Sequence, residues 1–568
     1  MTRKKGQEPA QIFAEYTAGI AFKEGLGKRG MFEQNKINER FFVGDQWYGA
    51  HCGNDRPLVR HNVIKRIGEY KMAVVASSPL AVRYSADGVP NTLALREQIS
   101  GIREQMAAQS AGSTLSAGLS RKLGTDEEIN LVLSAMSDYF RVTAERLKLD
   151  SLKETALRNA YCSGTGVLYT YWDPQVKTGL YADAARQVPV RGDIACEVLD
   201  IENVYFGDAN LDDVQAQPYI LLAQRRSVAE LRREAKRFGR PAEEIEAIGA
   251  DKERGYMAGD RSRQEPEDAD KATVLTKLWK EWDEEGQTFR IKAVRVVRGA
   301  TIRPEWELGI RLYPLAVFSW ERRRNCAYGE SEIPYLIPNQ IAINRMLTAS
   351  VWAVMMMGMP IMVVNGDVVT APISNDPGQV IRVSGGPQEV LQSIRYVQPP
   401  NFAPGLDNNI ASLISNTLSQ AGANSAALGD LRPDNATAII ALREAATMPL
   451  QMVQNRFYAF IEDVARIWAE FWVTQYGERA LRIEDESGAW YLPFNGDRYR
   501  DLLISVKVDV GASTLWSESQ SIRTLDNLFD RQVIDAAQYL KRLPKGLVPE
   551  LSGLLRELEV KREEAEQP

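Results

Sequence analysis

The stretch that decides the fold begins GESEIPYLIPNQIAINRM at residues 329–346 and continues without a charge as LTASVWAVMMMGMPIMVV through residue 364. A Pro/Gly-rich run with short β-like pieces follows, and then a short amphipathic helix is predicted. The loop GANSAALGDLRPDNATA at residues 422–438 leads into a very long helical pattern that starts near Ala438. This order of helix, small β module, helix, loop and long helix is typical of a segment that lines a cavity wall and carries a mobile loop.

The charge-free segment 346–364 is long enough for a hydropathy window to indicate a membrane span. Gly358 and Pro360 interrupt it, and its last residues predict a strand that ends in a turn. The pattern therefore favours a helix buried on all sides, either inside the fold or between neighbouring subunits. The alternative is a peripheral membrane or structural assembly protein that uses this segment as its anchor.

Composition and charge bound the class of protein. The chain has 568 residues, enough for three or four domain-sized units, and its 44% hydrophobic and 25% charged content is that of a globular protein. The formal net charge of −6 gives no net positive field that would attract nucleic acid. The four scattered cysteines lack a CxxC pair, which indicates a reducing cytoplasm rather than a disulfide scaffold or zinc site. No signal peptide is predicted, because no apolar stretch follows the basic first residues.

The sequence lacks the common catalytic patterns. It contains no GxxxxGK[ST], and GLGKRG at residues 25–30 lacks the spacing and hydroxyl of a phosphate-binding loop. The GTG at residues 164–166 lacks the third glycine of a dinucleotide fingerprint, so turn glycines are the ordinary explanation. The two histidines, His51 and His61, exclude an HExxH zinc site and argue against a catalytic triad. We therefore predict no catalytic, metal-binding or cofactor-binding residues.

The arginine run at residues 322–324 has two interpretations. Beside Trp320 it could contact nucleic acid, but a solvated turn between a strand and the next helix is favoured. The methionines at residues 355–357 are more typical of adaptable packing than of a cofactor site.

Periodicity elsewhere predicts a chain of mixed α and β structure. Helices are predicted at residues 9–48, 62–76, 127–159, 228–238, 438–476 (with a kink at Pro449) and 517–567. Strands or hairpins are predicted at residues 166–174, 193–207, 218–227, 274–297, 312–320, 481–492 and 502–510. The Ser-, Ala-, Gly- and Gln-rich residues 84–125 are predicted to be, in part, a mobile insertion.

Three stretches, in this chain order, resemble the portal proteins of tailed bacteriophages, the head-to-tail connector family. RPLVRHNVIKRIGEYKMAVVASSP at residues 56–79 resembles the N-terminal wing helix of that family. YPLAVFSWERRRNCAYGESEIPYLIPNQIAINRMLTAS at residues 313–350 resembles the strand and the start of the first stem helix. NSAALGDLRPDNATAIIALREAATMPL at residues 424–450 resembles the tunnel loop and the start of the long wing helix. Residues 84–125 and the extreme C-terminus have no counterpart in the resemblance.

The resemblance implies a mixed α+β multidomain portal fold that forms a homo-oligomeric ring of twelve copies. Such a fold has long stem and wing helices, a β-containing wing, a small α/β clip and a helical C-terminal crown. On this chain the implied divisions are the wing at 1–331, stem helix 1 at 332–358, the clip at 359–404, stem helix 2 at 405–421, the tunnel loop at 422–437, the long wing helix with the wing β segment at 438–516, and the crown at 517–568.

The function implied by the resemblance is a passive conduit for genome packaging and ejection at one capsid vertex. The implied partners are other copies of the chain, double-stranded DNA bound without sequence preference, the terminase large subunit, head–tail adaptor or tail proteins, and the major capsid and scaffolding proteins. No cofactor and no membrane insertion are implied. Synthesis would occur in the host bacterial cytoplasm, and the protein would end in the virion. The acidic balance suits a channel through which DNA slides without sticking.

Three groups of candidate residues follow from the resemblance. The predicted channel residues in the tunnel loop are Asn424, Leu428, Asp430, Arg432 and Asn435. The predicted subunit-interface residues in the stem are Ile341, Leu347, Val351, Val354 and Met355. The predicted terminase or adaptor docking residues in the clip are Asp367, Asp376, Arg382, Gln388 and Arg395.

Arg432 is the only cation of the predicted tunnel loop. Contact with a DNA phosphate is one interpretation, and an ion pair with Asp430 or Asp434 on the same loop is the other.

Overall fold

The computed structural model of the chain describes residues 8–47, 58–77, 81–85, 125–183, 188–251, 270–284, 287–358, 361–365, 367, 369, 386–388, 394–397, 405–423, 448–476, 478–485, 488–495, 505–509, 515–531 and 533–542. The helices within these residues are α1 (Pro9–Glu24), α2 (Met31–Val43), α3 (Val63–Ala76), α4 (Thr125–Leu147), α5 (Leu149–Ser163), α6 (Val228–Arg237), α7 (Ala242–Ala247), α8 (Ile333–Gly358), α9 (Leu406–Gln420), α10 (Gln451–Gln475), α11 (Leu515–Asp530) and α12 (Ala536–Arg542).

The strands are antiparallel wherever they pair. They are β1 (Ala81–Ser85), β2 (Thr165–Asp183), β3 (Val188–Asp200), β4 (Val204–Phe206), β5 (Tyr219–Ser227), β6 (Lys271–Asp283), β7 (Thr288–Val297), β8 (Ala300–Glu307), β9 (Leu315–Ser319), β10 (Ile361–Val364), β11 (Ile394–Val397), β12 (Glu478–Asp485), β13 (Gly488–Asn495) and β14 (Ser505–Asp509). They form a five-stranded sheet in the order β4-β5-β6-β7-β8, a three-stranded sheet in the order β3-β2-β9, and the pairs β1-β14, β10-β11 and β12-β13.

The long helix α10 lies at the centre of the main hydrophobic core. Near its start, Phe457 and Phe460 hold β9 through Phe318, with ring centroids 5.6 and 6.1 Å apart. Further along, Trp468 is fully buried and its ring lies 4.7 Å from that of Phe140 on α4. Aromatic pairs of this kind add about 0.5–1.5 kcal/mol each to the free energy of area burial. The same helix therefore joins β9, which precedes α8, to the N-terminal helices.

Helix α3 begins at the position that its sequence predicts. Asn62 caps it, because its Oδ1 accepts a hydrogen bond from the Lys65 backbone N–H at 3.0 Å. One turn later, Gly68 allows close packing: a Cβ at this position would lie 2.5 Å from the Tyr161 ring and 2.8 Å from the Phe42 ring. Absence of a side chain at Gly68 thus lets α3 pack directly on α2 and α5.

Buried Lys23 fastens α1 to the turn between β3 and β4. Its Nζ donates to the carbonyl oxygens of Ile201, Glu202 and Val204 at 2.6, 3.0 and 2.8 Å. Burial lowers the pKa of Lys23 well below its usual value, and the nearby carboxylate of Glu202 opposes that shift. All three hydrogens of the ammonium form are used in these contacts, so Lys23 has a structural role.

Two helical regions that the periodicity predicts as continuous are each divided. Residues 9–48 contain α1 and α2, which are separated by a turn in which Gly27 and Gly30 have φ of 76° and 77°. Residues 127–159 contain parts of α4 and α5, which are separated at Lys148 with φ of 52°. The left-handed backbone conformation of Lys148 interrupts the helix, and no neighbouring glycine or proline marks this break in the sequence.

The predicted helix 438–476 is described only from residue 448 onward. A 3₁₀ turn at Met448–Leu450 contains Pro449, and regular α-helix begins after it at Gln451. A kink at Pro449 within a longer helix stays a prediction. Residues 438–447 lie outside the described part of the chain, as do most of the predicted insertion 84–125, the predicted helical residues 543–567, and His51 with Cys52.

Candidate functional site

The N-terminal half of α8 carries three polar side chains at four-residue spacing. They are Gln340, Asn344 and Thr348. Residues four apart lie on one face of a helix, so these three side chains form a row, which we call the polar ladder. Gln340 is 1% exposed and Asn344 is 2% exposed. Amides buried to this degree require hydrogen-bond partners within the chain.

Most partners of the polar ladder are backbone groups of residues 59–64, about 280 positions earlier in the chain. Gln340 Oε1 accepts from the Val63 and Ile64 N–H groups at 2.9 and 3.3 Å, and its Nε2 donates to the His61 carbonyl at 2.6 Å. The ladder therefore satisfies two of the backbone donors at the start of α3, which have no partner within that helix.

The other two side chains of the polar ladder also bind the segment before α3. Asn344 Oδ1 accepts from the His61 N–H at 3.0 Å, and its Nδ2 donates to Gln46 Oε1 at 2.6 Å. Thr348 Oγ1 accepts from the Val59 N–H at 3.1 Å. The extended segment 58–62 and the residues after α2 are thus tied to α8 through side chains of α8.

A buried ion pair holds the N-terminus of α8 in place. Lys71 on α3 lies with its Nζ 2.5 Å from Glu332 Oε1, and both side chains are nearly buried. Beside it, Ser331 Oγ donates to the Tyr161 carbonyl at 2.6 Å and accepts from the Ile333 N–H at 3.2 Å. The start of α8 is therefore held by α3 and α5 before the polar ladder begins.

Helix α9 packs beside α8. Asn339 Nδ2 donates to Thr417 Oγ1 at 3.3 Å, and the Thr417 hydroxyl donates to the Leu413 carbonyl at 2.7 Å. The apolar side chains of α9 that pack against the main core are Leu413, Ile414 and Leu418. The two helices predicted as stem helices are therefore neighbours in the single chain.

The C-terminal half of α8 has the opposite character. No charged residue occurs between Met346 and Gly358, and large apolar side chains reach the surface of the chain. Val351, Val354 and Met355 are 38%, 66% and 45% exposed. We call residues 349–355 the bare half of α8. No helix within the described residues has the length and apolarity needed to cross a membrane.

The five predicted interface residues occupy different surroundings. Val351, Val354 and Met355 lie on the surface of the bare half, whereas Ile341 and Leu347 are half-buried within their own chain. Leu347 packs against the main core, and Ile341 lines a cleft beside α2. Participation of all five in a subunit interface stays a prediction.

The predicted docking residues of the clip are described in part. Asp367 lies in a turn and is exposed, Gln388 is exposed, and Arg395 occupies β11 opposite Val363 of β10. Asp376 and Arg382 lie outside the described residues.

The predicted channel residues lie outside the described part of the chain, which stops at Ala423 and resumes at Met448. They are Asn424, Leu428, Asp430, Arg432 and Asn435. At the near end, Gly422 has φ of 75° and the Ala423 N–H donates to the Leu418 carbonyl at 2.9 Å. This left-handed glycine ends α9 in the usual manner of a helix C-terminus.

The arginine run 322–324 lies in the turn between β9 and α8, as its ordinary interpretation predicts. Arg323 pairs with Glu330 at 3.3 Å, across a turn closed by the bridge between Glu321 and Glu330. Burial, and then the charge of Arg322, lower the pKa of Arg456 on α10.

Among the described residues, no group of three or more His, Cys, Asp or Glu could hold a metal ion. Burial raises the pKa of the Cys162 thiol, and it raises the pKa of Cys196 to about 11. Both are therefore thiols rather than thiolates at neutral pH, and the thiolate is the nucleophilic form.

Comparison with known families assigns the chain to one of them. The profile of the family described as "Phage SU10 portal protein" matches residues 173–532, which include α8, α9 and α10. The chain belongs to this phage portal protein family. It accordingly has a portal role, as a structural component of a bacteriophage virion. The N-terminal partners of the polar ladder, residues 59–64, precede the part of the chain that the family profile matches.

Comparison with solved structures gives a distant likeness. The structure titled "Neck of native GTA particle computed with C12 symmetry" covers 85% of this chain and 90% of its own, with 10% sequence identity and a TM-score of 0.31. No curated protein matches the chain.

Proposed function

We propose that this portal-family chain forms a ring of twelve copies at one capsid vertex, where it is the passive conduit for genome packaging and ejection. The observation that carries the proposal is the bare half of α8. Its apolar side chains are uncovered on a helix whose other half is tightly held, and large exposed apolar patches mark interaction surfaces. Repetition of one contact between different faces of neighbouring copies closes a ring.

The division of the chain follows the family resemblance. We assign the wing to residues 1–331, the two stem helices to 332–358 and 405–421, and the crown to 517–568. Support comes from α8 and α9, whose lengths suit a stem and which are joined by the hydrogen bond between Asn339 and Thr417. The segment 438–516 then completes the wing.

The remaining segments provide contacts with partners. The clip, residues 359–404, docks the terminase large subunit and the head–tail adaptor or tail proteins, and exposed Asp367 and Gln388 are suited to such contacts. The tunnel loop, residues 422–437, lines the channel, and its Arg432 contacts DNA phosphates without sequence preference. The major capsid and scaffolding proteins contact the ring from outside. The protein is made in the host bacterial cytoplasm, without membrane insertion.

The experiment compares Val354→Asp with Val142→Asp. Val354 lies in the bare half of α8, and Val142 is a similarly exposed valine on α4, at 66% and 56% exposure. An unpaired carboxylate buried at an interface costs several kcal/mol, whereas one that faces water costs little. Size-exclusion chromatography and negative-stain microscopy should show rings for the wild type and Val142→Asp, and separate chains for Val354→Asp. Intact rings of Val354→Asp would contradict the proposal.

A further inference from the structure

A cleft of about 420 Å³ opens between α2 and the N-terminal half of α8. Cationic side chains outnumber carboxylates in its lining, although the chain as a whole is acidic. The cations are Arg29, Lys36, Arg40 and Arg345, and the carboxylates are Glu33 and Asp45. The lining therefore selects for a negatively charged occupant.

The walls of this cationic cleft are held in place within the chain. Asn344 on α8 donates to Gln46 beside α2 at 2.6 Å, and the Trp47 indole N–H donates to the Val59 carbonyl at 3.0 Å. Arg40 is buried, with its Nε 3.9 Å from Asp45 Oδ2. A site fixed in this way loses little conformational entropy when an occupant enters.

The cationic side chains of the cleft differ in how deeply they are buried. Arg29 and Arg345 are exposed, Lys36 is half-buried and Arg40 is buried. An anionic side chain that enters the cleft meets the exposed guanidinium groups first and the less hydrated amine afterwards. Charge pairs gain strength as water is excluded from them, so the half-buried Lys36 is the most informative contact to test.

The cleft lies N-terminal to the bare half of α8, and the two occupy partly overlapping sides of the helix. Ile341 and Arg345 line the cleft, and Met355 lies ten residues beyond Arg345, about 15 Å along the helix axis and within one quarter-turn of it in angle. A protein surface that covers Met355 is therefore close enough to reach Arg345. The cleft is placed at the edge of the surface that the proposed ring covers.

We propose that the cationic cleft receives carboxylate side chains from the neighbouring copy of this chain, which pair with Lys36 and Arg345. The inference rests on the proposed ring. Each copy has a net charge of −6, so a neighbouring copy is the anionic surface that assembly itself brings to the cleft. Such pairing would fix the register between copies, because charge complementarity across an interface suppresses wrong alignments.

Zero-length carbodiimide cross-linking of rings assembled from mixed ¹⁴N and ¹⁵N chains tests the contact directly. The reagent joins an amine to a carboxylate in contact with it, and the isotope label tells whether the two belong to different copies. Peptides that join Lys36 of one copy to an Asp or Glu of another are expected. Intact rings in which Lys36 is joined only within its own chain would overturn the inference and leave the proposed ring standing.

A double charge reversal gives a second, independent readout. Lys36→Glu with Arg345→Glu should weaken ring association about tenfold or more, because like charges then face each other across the interface. The matched control is Lys65→Glu with Arg141→Glu, which alters exposed side chains of α3 and α4. The control should retain wild-type association in native mass spectrometry, and the melting temperature of separate chains should be the same for both variants.

Two outcomes of the double reversal would overturn the inference. Rings of the double reversal that are as stable as the control would show that the cleft does not contribute to assembly. Stable rings that instead lose binding of a 40-base-pair DNA duplex would assign the cleft to nucleic acid rather than to a neighbouring copy. Failure of wild-type chains to form any ring would reject the proposed function as well, and is distinguishable from both.

Discussion

The two halves of α8 share one helix axis, but the rest of the chain covers only the N-terminal half. Gln340 and Val351 are eleven residues apart, about three full turns, so they point to the same side. On the N-terminal half that side is hydrogen-bonded to residues 59–64, and on the bare half it is exposed and apolar. The chain therefore covers one half with its own backbone and leaves apolar side chains of the other half exposed.

The energetics of the halves differ accordingly. The N-terminal half holds buried amides whose stability depends on every partner being present, since an orphaned buried group costs about 1–3 kcal/mol. The bare half gains only from area: covering Val351, Val354 and Met355 would contribute on the order of 3 kcal/mol at each interface. One half therefore stabilises the fold of a single chain, and the other is the surface that we propose for assembly.

The largest effect on the single chain is expected for Gln340→Leu. It removes the hydrogen bonds of Gln340 to the Val63 N–H, the Ile64 N–H and the His61 carbonyl, and should lower the free energy of unfolding by about 3–5 kcal/mol. The Val63 N–H keeps its 3.0 Å contact with the His61 carbonyl, so the Ile64 N–H is the most affected group. Urea denaturation of separate chains measures the loss, and hydrogen exchange should accelerate at residues 63 and 64. On the bare half, Val351→Gln should change the same free energy by less than about 0.5 kcal/mol. Equal losses in the two variants would remove the distinction between the halves.

A somewhat smaller effect is expected at the N-terminus of α8. Lys71→Met leaves the nearly buried Glu332 carboxylate without its ion-pair partner and should cost about 2–4 kcal/mol. Lys65→Met, on the same helix, breaks an exposed pair with Glu69 at 3.6 Å and should cost less than about 0.5 kcal/mol. Thermal unfolding of separate chains compares them, and a similar shift in both would mean that Lys71 does not fix the start of α8.

The smallest effect is expected at the boundary between the halves. Thr348→Val keeps the side-chain shape but removes the acceptor for the Val59 N–H, at a cost of about 1 kcal/mol. Hydrogen exchange at Val59 should accelerate while exchange at Val63 is unchanged. If hydrogen exchange accelerated at both amides, the three side chains of the polar ladder would act as one unit rather than separately.

Much of the architecture is visible in local sequence. Asn62 before an apolar-periodic run predicts the start of α3, and alternating residues predict β5 and β9. Pro449 lies in the 3₁₀ turn before α10, in keeping with a residue that lacks the N–H that a helix needs. These features depend on neighbours in the chain, so a single sequence is sufficient to find them.

Features that depend on distant residues are not visible in this way. The break at Lys148 has no glycine or proline beside it, so packing rather than local preference determines it. The four-residue spacing of Gln340, Asn344 and Thr348 is present in the sequence, but their backbone partners lie 276 to 289 positions away. Likewise, a position such as Leu347 on an apolar helix gives no sign of whether it packs on its own chain or on another.

The most direct test of the account measures solvent access to the bare half of α8 before and after assembly. Val354→Cys and Val142→Cys would be labelled with a maleimide in separate chains and in assembled particles, with the sites resolved by mass spectrometry. The account predicts fast labelling of both in separate chains, and labelling of Val354→Cys that is about tenfold or more slower in particles, because an interface core excludes solvent. Val142→Cys should label at one rate in both. Equal rates for Val354→Cys in chains and particles would contradict the account.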